Sequence, residues 1–537
     1  MIELLTPAEM AEADRLTIAG GMPGFTLMQA AGKAAADAVS SLAASGALIR
    51  IIAGPGHNGG DGYVAAHLLR ESGYRVEVLR FGAEPVRGDA AVAAAQWKGP
   101  TVRADTALIA GADVVVDALF GAGLTRPIQG EALGLVEAVN ACGRPVVAVD
   151  LPSGISGVTG EVMGVAVRAD VTVTFFRKKP GHLLFPGRRH CGEVQVKQIG
   201  INPGVLETIR PRVFANAPPL WLEGYPVPTL DGHKYSRGHA LVVSGGIAST
   251  GAARLAARGA LRAGAGLVTI ASPSDALPVV AADSLAVMVC RADSTAELAE
   301  LLEDRRLNAV VLGPGGGVGE PMREAVGTVL KGERGVVLDA DALTSFAGRL
   351  TEIRAAVAAQ KTPRCILTPH EGEFARLFKG CPEVDESSSK LDRARAAAVA
   401  LGAVIILKGP DTVVAAPDGR AAIADNAPPW LATAGSGDVL AGMGGGLLAQ
   451  GMPTFEAAAA AVWLHGEAAN AFGPGLISED IPEALPSVLR KLFQLRVATL
   501  SNFLLRIQES PRNRTSITNP RPEEASFKTF SETWPKA

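Results

Sequence analysis

IRIIAGPGHNGGDGYVAAHLLRESGYRVEVLRF, residues 49–81, reads as a strand, a glycine-rich turn, a helix and a second strand. The β-branched run 49–53 breaks at glycine, the alanine- and leucine-bearing stretch after Asp61 has helical character, and the run 74–81 is extended again. A glycine turn between strand and helix lets backbone amides approach an anion at the helix N-terminus, where the dipole favours negative charge. A tight turn explains the glycines nearly as well. Asn58 and Asp61 tip the balance toward a ligand, because a turn alone does not require both side chains. The loop matches neither GxGxxG nor GxxxxGKS, so the usual dinucleotide and Walker readings have no support.

Working outward, further strands are expected at 113–119, 145–150 and 170–176, alternating with alanine-rich helical stretches. That rhythm implies a mostly parallel sheet covered by helices on both faces, a Rossmann-like three-layer α/β/α domain over residues 1–216. NAPPLWLEGYPVPTLDG, residues 216–232, interrupts it, and residues 217–231 read as a Pro-rich linker. Alternation restarts with strands at 240–244, 266–271, 308–312, 335–339, 365–368 and 404–408, then closes in alanine-rich helices near 436–450 and 454–472. This gives a second α/β domain over 232–492. The polar, Pro-bearing segment 493–537 reads as a disordered or loosely attached tail.

A chain of 537 residues with 48% hydrophobic and 20% charged residues suits two such cores. Its net charge of −3 offers no basic footprint for nucleic acid, so a phosphate-bearing ligand must be held by local amides. The five cysteines are scattered without zinc-like spacing, which fits a reducing compartment. Neither a signal-like N-terminus nor an apolar run of about 18 residues is present, so no membrane is expected and the cytoplasm is the expected address. Alanine-rich helices suggest self-association as a homo-oligomer.

Two further clusters end strands of the first half. Asp117 precedes a flexible loop in DVVVDALFGAGLTRP (113–127), and VDLPSG (149–154) carries Asp150 and Ser153. Ligands of open α/β sheets sit outside the carboxyl ends of strands, so the three loops can converge on one site. Asn58, Asp117 and Ser153 offer oxygens suited to a hard cation, but the same residue types make caps and Asx turns, and spacing alone favours capping. HNGGDG, VDALFGAG and DLPSG in this order resemble the YjeF N-terminal family, the NAD(P)H-hydrate epimerases. The resemblance implies potassium held by Asn58, Asp117 and Ser153. It implies substrate held by His57, Asn58, Gly59, Gly60 and Asp61, by Gly121, Ala122, Gly123, Leu124, Thr125, Arg126 and Pro127, and by Asp150. His57 departs from the family's usual asparagine, which puts substrate contacts in doubt, not the ion site. Asp150 is the acid/base candidate for opening and reclosing the C–O bond; its plainer reading is a strand-end aspartate capping the turn at Ser153.

In the second half, STGAAR (249–254) reads as a phosphate seat or, with more weight, a helix N-cap. GPGGG (313–317) and VVLDADAL (336–343) end strands, LTPHEGEF (367–374) places His370 at another strand exit, and LKGPDTVV (407–414) puts Lys408 before a Gly-Pro turn. A lone histidine there is ordinarily a helix-start residue, and the Lys408 segment also suits a plain β-turn. ATAGSGDVLAGMGGG (432–446) weighs most. Gly435, Ser436 and Gly437 expose amides at the start of a long helix, an anion hole, with Asp438 in its first turn. GSGD is similar to the anion-hole motif of ribokinase-like kinases. GHKYSRGH, GPG, LDADAL, TPHEGE, KGPDT and AGSGD together resemble the YjeF C-terminal family, the ADP/ATP-dependent NAD(P)H-hydrate dehydratases, which implies a ribokinase-like α/β/α domain. Carried over, the resemblance implies hydrated-cofactor contacts at Ala252, Gly315, His370 and Asp438, and nucleotide contacts at Lys408, Gly409, Pro410, Asp411, Thr412 and Gly437. Glu371 stands where proline is common, and Ser436 replaces a frequent threonine.

The function expected from both resemblances is repair of NADHX and NADPHX: epimerisation of the R and S forms, then dehydration of the S form at the expense of ADP, or ATP. Hydroxide leaves badly, whereas a phosphorylated hydroxyl leaves well. Asp438 would take the hydroxyl proton, with magnesium neutralising the transferring phosphate. The competing readings are a ribokinase-like small-metabolite kinase and a non-catalytic nucleotide-binding scaffold.

Overall fold

The computed structural model describes residues 2–83, 87–387 and 389–509. Seven strands, β1 (Leu48–Ala53), β2 (Arg75–Arg80), β3 (Thr101–Arg103), β4 (Val114–Ala118), β5 (Val146–Val149), β6 (Val171–Phe175) and β7 (Glu193–Lys197), form a first sheet in the order β3-β2-β1-β4-β5-β6-β7. Every pairing in it is parallel. Strand alternation divides the core into two layers. Ile49, Ile51, Val114 and Val116 pack with Leu27, Val39 and Leu69 from helices Gly24–Leu42 and His57–Glu71. Ile52, Val115 and Ala148 point the other way, onto Leu135, Val136 and Val139 of helix Glu131–Ala141. The three-layer expectation holds. Strand order reverses between β1 and β4, which opens a crevice at their carboxyl ends.

The second sheet comprises β8 (Val213–Ala215), β9 (His239–Val243), β10 (Leu267–Ser272), β11 (Met288–Arg291), β12 (Leu307–Leu312), β13 (Gly335–Leu338), β14 (Cys365–Leu367), β15 (Val404–Leu407), β16 (Val413–Ala415) and β17 (Ala421–Ile423). Its order is β11-β10-β9-β12-β13-β14-β15-β16-β17-β8, antiparallel only where β16 meets β15 and β17. Leu241, Val310, Leu338 and Leu367 face one helical layer, with Val326, Ile353 and Leu377. On the other face, helix Ser436–Ala449 lies so close that a Cβ at Gly445 would strike Val311. The same helix crosses Thr250–Arg262 at backbone contact, since a Cβ at Gly442 would strike the Ala256 carbonyl.

Two expected boundaries move. The expected first domain, 1–216, ends too late: β8 pairs in parallel with β17 and so belongs to the second sheet. The chain start follows it, with Leu4 N donating to Val213 O at 2.9 Å and Ala215 N to Ile2 O at 2.7 Å. Nor is 217–231 a free linker over its first half, because Trp221 is buried, stacks at 5.5 Å from Trp463, and donates from Nε1 to Asn216 Oδ1. Prolines there end regular structure without preventing apolar burial. Residues Met1–Leu489 accordingly form one compact unit.

A second unit starts at Arg490. The helix Asp480–Glu509 continues past the expected tail start at residue 493, through a stretch without glycine or proline between Ser487 and Ser510. The remainder of the expected tail, 510–537, lies outside the described residues. Among the described residues no helix is long and apolar enough to cross a membrane. The five cysteines are free of disulfides.

Candidate active sites

At the β1–β4 switch point, a cavity of about 550 Å³ is lined by His57, Asn58 and Asp61 of the glycine turn, Gly121, Ala122, Gly123, Leu124, Thr125 and Arg126 of the loop after β4, and Asp150 after β5. The structure thus brings together three loops expected to meet. Gly59 and Gly60 serve packing behind the turn, where a Cβ would strike the Gly54 carbonyl or the Met28 side chain. Pro127 is not part of the described cavity wall.

Behind this wall, Asp117 and Ser153 form a buried network. Ser153 donates to Asp117 through Oγ at 2.6 Å and through its amide at 2.8 Å, while Phe120 N donates to Ser153 Oγ at 2.8 Å. Burial pushes the Asp117 carboxyl up to about 6 despite these donors. Among the described residues the buried Asn58 amide nitrogen has no partner, and a Cβ at Gly121 would stand 3.0 Å from Asn58 Oδ1. The capping role is therefore filled by Asp117 and Ser153, while Asn58 keeps unused hydrogen-bonding capacity beside the same loop. Their oxygens fit a hard monovalent cation, which would also compensate the desolvated Asp117. Among the described residues no three His, Cys, Asp or Glu side chains converge as a metal set.

Asp150 has a left-handed backbone, φ 63°, costly for a non-glycine residue and found mostly where surroundings enforce it. Its Oδ1 meets Lys179 Nζ at 2.5 Å and accepts from Thr174 Oγ1 at 3.1 Å, and its Oδ2 accepts from Ala122 N at 3.3 Å. Burial pushes this carboxyl up, but the Lys179 ammonium, aided by these hydrogen bonds, brings it below the usual aspartate range. The Lys179 backbone amide donates to His182 Nδ1 at 2.9 Å, leaving His182 Nε2 to donate to Asp150 O at 2.9 Å. Burial, with Lys179 nearby, drops His182 to about 4, so the ring is neutral. Sequence reasoning missed Lys179 and also two further carboxyls in the cavity wall, Asp14 and Asp89.

In the second half, Lys408 Nζ lies 2.9 Å from Asp339 Oδ1 at the carboxyl ends of β15 and β13. Burial opposes its charge, but Asp339, Glu373 and Asp438 hold Lys408 above the ordinary lysine range. Gly435, φ 87°, caps helix Ser436–Ala449, and a Cβ at Gly437 would stand 3.3 Å from Lys408 Nζ. Asp438 in the first turn is pushed up to about 6 by burial and by Asp339, with Lys408 opposing. A carboxylate so placed is poised as a base near neutral pH beside amides able to receive an anion.

Ala252 and Gly315 also meet, since a Cβ at Gly315 would lie 3.3 Å from that of Ala252. His370 is a helix cap: its Nδ1 accepts from Gly372 N at 2.9 Å, its amide donates to Glu373 Oε2 at 2.9 Å, and its Nε2 lies 3.5 Å from Glu373 Oε1. Thr412 closes the Gly409 turn, accepting from Gly409 N at 3.1 Å. Asp411 and Pro410 face the first half, with Asp411 accepting from Phe185 N at 2.9 Å and from Lys390 Nζ at 2.6 Å, and Pro410 O accepting from Arg188 at 3.0 Å. These four therefore have structural partners that the motifs alone do not reveal.

Residues 24–181 match the family of YjeF-related protein N-termini, and residues 240–480 match the NAD(P)H-hydrate dehydratase family. The chain is 36% identical to the bifunctional NAD(P)H-hydrate repair enzyme Nnr of Salinibacter ruber, over 91% of this chain and 96% of that protein. Its identity to the enzyme of that name from Coxiella burnetii is 33%, over 88% and 95%. Among solved structures, an ADP/ATP-dependent NAD(P)H-hydrate dehydratase from Bacillus subtilis, co-crystallised with ATP and magnesium, is 31% identical. That alignment covers 50% of this chain and 94% of the other, with a TM-score of 0.43.

Proposed function

The chain belongs to the family of bifunctional NAD(P)H-hydrate repair enzymes, and from that premise we propose how its two sites divide the work. The first cavity interconverts the R and S epimers of NADHX and NADPHX. The second site dehydrates the S epimer to NAD(P)H while consuming ADP or ATP. The observation that carries this reading is the Asp150–Lys179 pair at one switch point together with Asp438 beside Lys408 and the Gly435–Gly437 amides in the second sheet.

In the epimerase cavity, Asp150, kept ionised by Lys179, accepts a proton from water returning to the hydroxylated ring carbon. His57, Asn58, Asp61 and the loop from Gly121 to Arg126 surround the substrate. Asn58, Asp117 and Ser153 would hold potassium, whose charge would fix these loops and offset the buried carboxylate.

At the dehydratase site, Asp438 removes the proton of the ring hydroxyl as that oxygen is phosphorylated, and the Gly435–Gly437 amides stabilise the negative charge that develops. Lys408 and Gly409 face the nucleotide, while Ala252, Gly315 and the exposed part of the His370 ring face the hydrated ring. Magnesium bound to the nucleotide's phosphates would neutralise their charge, leaving Asp438 free to act as base. The ring nitrogen then expels phosphate, which completes the dehydration.

Incubating the full chain with NADHX and ADP, with NADH absorbance followed, tests the reading. NADH must appear only with nucleotide present. A stable phosphorylated product without NADH would favour a small-metabolite kinase, and absence of any turnover would favour a binding scaffold; either outcome overturns the proposal.

A further inference from the structure

Asp150 cannot supply every proton that epimerisation requires. Hydroxide leaves the ring carbon only if its oxygen is protonated, and a carboxylate with an ammonium at 2.5 Å is held in its basic form. A second group must therefore act as the acid. Helix Pro7–Ala19 presents Pro7, Met10, Ala11, Asp14 and Ile18 to the cavity, a spacing of three and four residues that marks one helix face. Asp14 is the sole polar side chain on that face. Its carboxyl is half-buried and, among the described residues, makes no hydrogen bond or ion pair, although Asp150, Lys179 and His57 act on it through their charges. An unpaired carboxyl on an apolar face is an expensive placement unless a ligand or a proton satisfies it. Asp14 also precedes the family-matched segment 24–181.

Resting on the epimerase reading above, we infer that Asp14 is the catalytic acid of the first site, protonating the departing hydroxyl while Asp150 receives the proton of the water that returns. The Asp14 proton passes to the ring hydroxyl, the C–O bond breaks as the ring nitrogen's lone pair forms a C=N bond, and water departs. Water then bonds to the other face of that carbon, restoring the nitrogen lone pair, and gives its proton to Asp150. Exchange with solvent returns a proton to Asp14 and removes one from Asp150. The reverse direction runs the same steps backward, through the minor protonation state in which Asp150 carries the proton and Asp14 has lost it. Their surroundings separate them accordingly: burial, with repulsion from Asp150, pushes Asp14 up to about 6 against the pull of Lys179, whereas Asp150 lies below the usual range. Asp61, which with Asp89 also lines the cavity, is raised by its own burial and by Asp150 and Asp14.

The test compares the full chain with Asp14→Asn, Asp14→Glu and Asp61→Asn, measuring interconversion of R- and S-NADHX from about pH 5 to about pH 9, with spontaneous background subtracted. Dehydration of S-NADHX with ADP, carried out at the other site, reports folding. Asp14→Asn is expected to lose about 10²- to 10⁴-fold in epimerisation with dehydration at the parental rate. It is also expected to lose the parent's decline of rate as pH rises through the acid's pKa, and Asp14→Glu is expected to recover part of the rate. The proposal is overturned if Asp14→Asn epimerises like the parent, or if it keeps the alkaline decline while Asp61→Asn abolishes it. A parent that does not epimerise at all would instead overturn the underlying assignment of function.

Discussion

Replacing Lys179 by methionine probes the first site at its most constrained point. Lys179 is 2% exposed, its ammonium lies 2.5 Å from Asp150 Oδ1, and it donates to Thr174 Oγ1 at 2.9 Å. Methionine keeps the buried stem and removes the charge. Asp150 then retains only the Thr174 hydroxyl and the Ala122 amide, and leaving one partner of a buried pair uncompensated costs about 3–5 kcal/mol. Protonation limits that cost. In the parent, Asp150 titrates below its unfolded value, so the pair's stabilisation is full above the ordinary aspartate range and is lost as pH falls through the lowered folded pKa. In the variant, desolvation outweighs those two hydrogen bonds and the folded pKa rises above the unfolded one, so the variant is weakest at neutral pH and recovers toward the parent as acid protonates Asp150. Thermal unfolding of both proteins across this range measures the difference, and the epimerisation rate should fall about 10²- to 10⁴-fold, because protonated Asp150 cannot serve as base. A stability difference independent of pH, combined with parental epimerisation, would refute the reasoning.

Asp117→Ala should slow epimerisation while ADP-dependent dehydration of S-NADHX survives, and the parent's epimerisation should respond to potassium more strongly than the variant's; equal rates in both, background subtracted, would remove the ion-site assignment. A fragment starting at residue 206 should be a more soluble and more heat-stable dehydratase than one starting at residue 228, because the shorter piece lacks β8 and leaves the edge of β17 unpaired. Equal solubility and melting temperature would show that β8 adds nothing to the second sheet.

The layered fold was legible because buried parallel strands announce themselves as apolar runs followed by glycine loops, as at 49–62 and 308–317. The same feature exposed the strand-end residues Asp117, Asp150 and Lys408, while Asp438 was exposed by the glycines that open its helix. Lys179 was hidden for a physical reason: in FRKKPGH it is one of three adjacent cations, and only the folded chain shows that Lys179 meets Asp150 while the equally buried Arg177 pairs with Glu3. Asp14 lies in AEADRL, an ordinary charged helix pattern whose apolar face gains meaning only from the cavity it covers. β8 escaped notice because a three-residue strand beside prolines has too little pattern to register, and its pairing with β17 spans more than two hundred residues of sequence. Asp411 looked like part of a nucleotide loop, and its partners Phe185 and Lys390 come from elements that local motifs do not connect to it.

The division of labour between the two sites is tested most directly by the extent of NADH formation from a mixed R/S population of NADHX with excess ADP, in the parent, Asp150→Asn and Asp438→Asn. With spontaneous epimerisation subtracted, the parent should convert the whole mixture, Asp150→Asn should stop once the S form is spent, and Asp438→Asn should form almost no NADH while remaining folded. Near-parental turnover in Asp438→Asn, or full conversion by Asp150→Asn at the parental rate, would contradict the account.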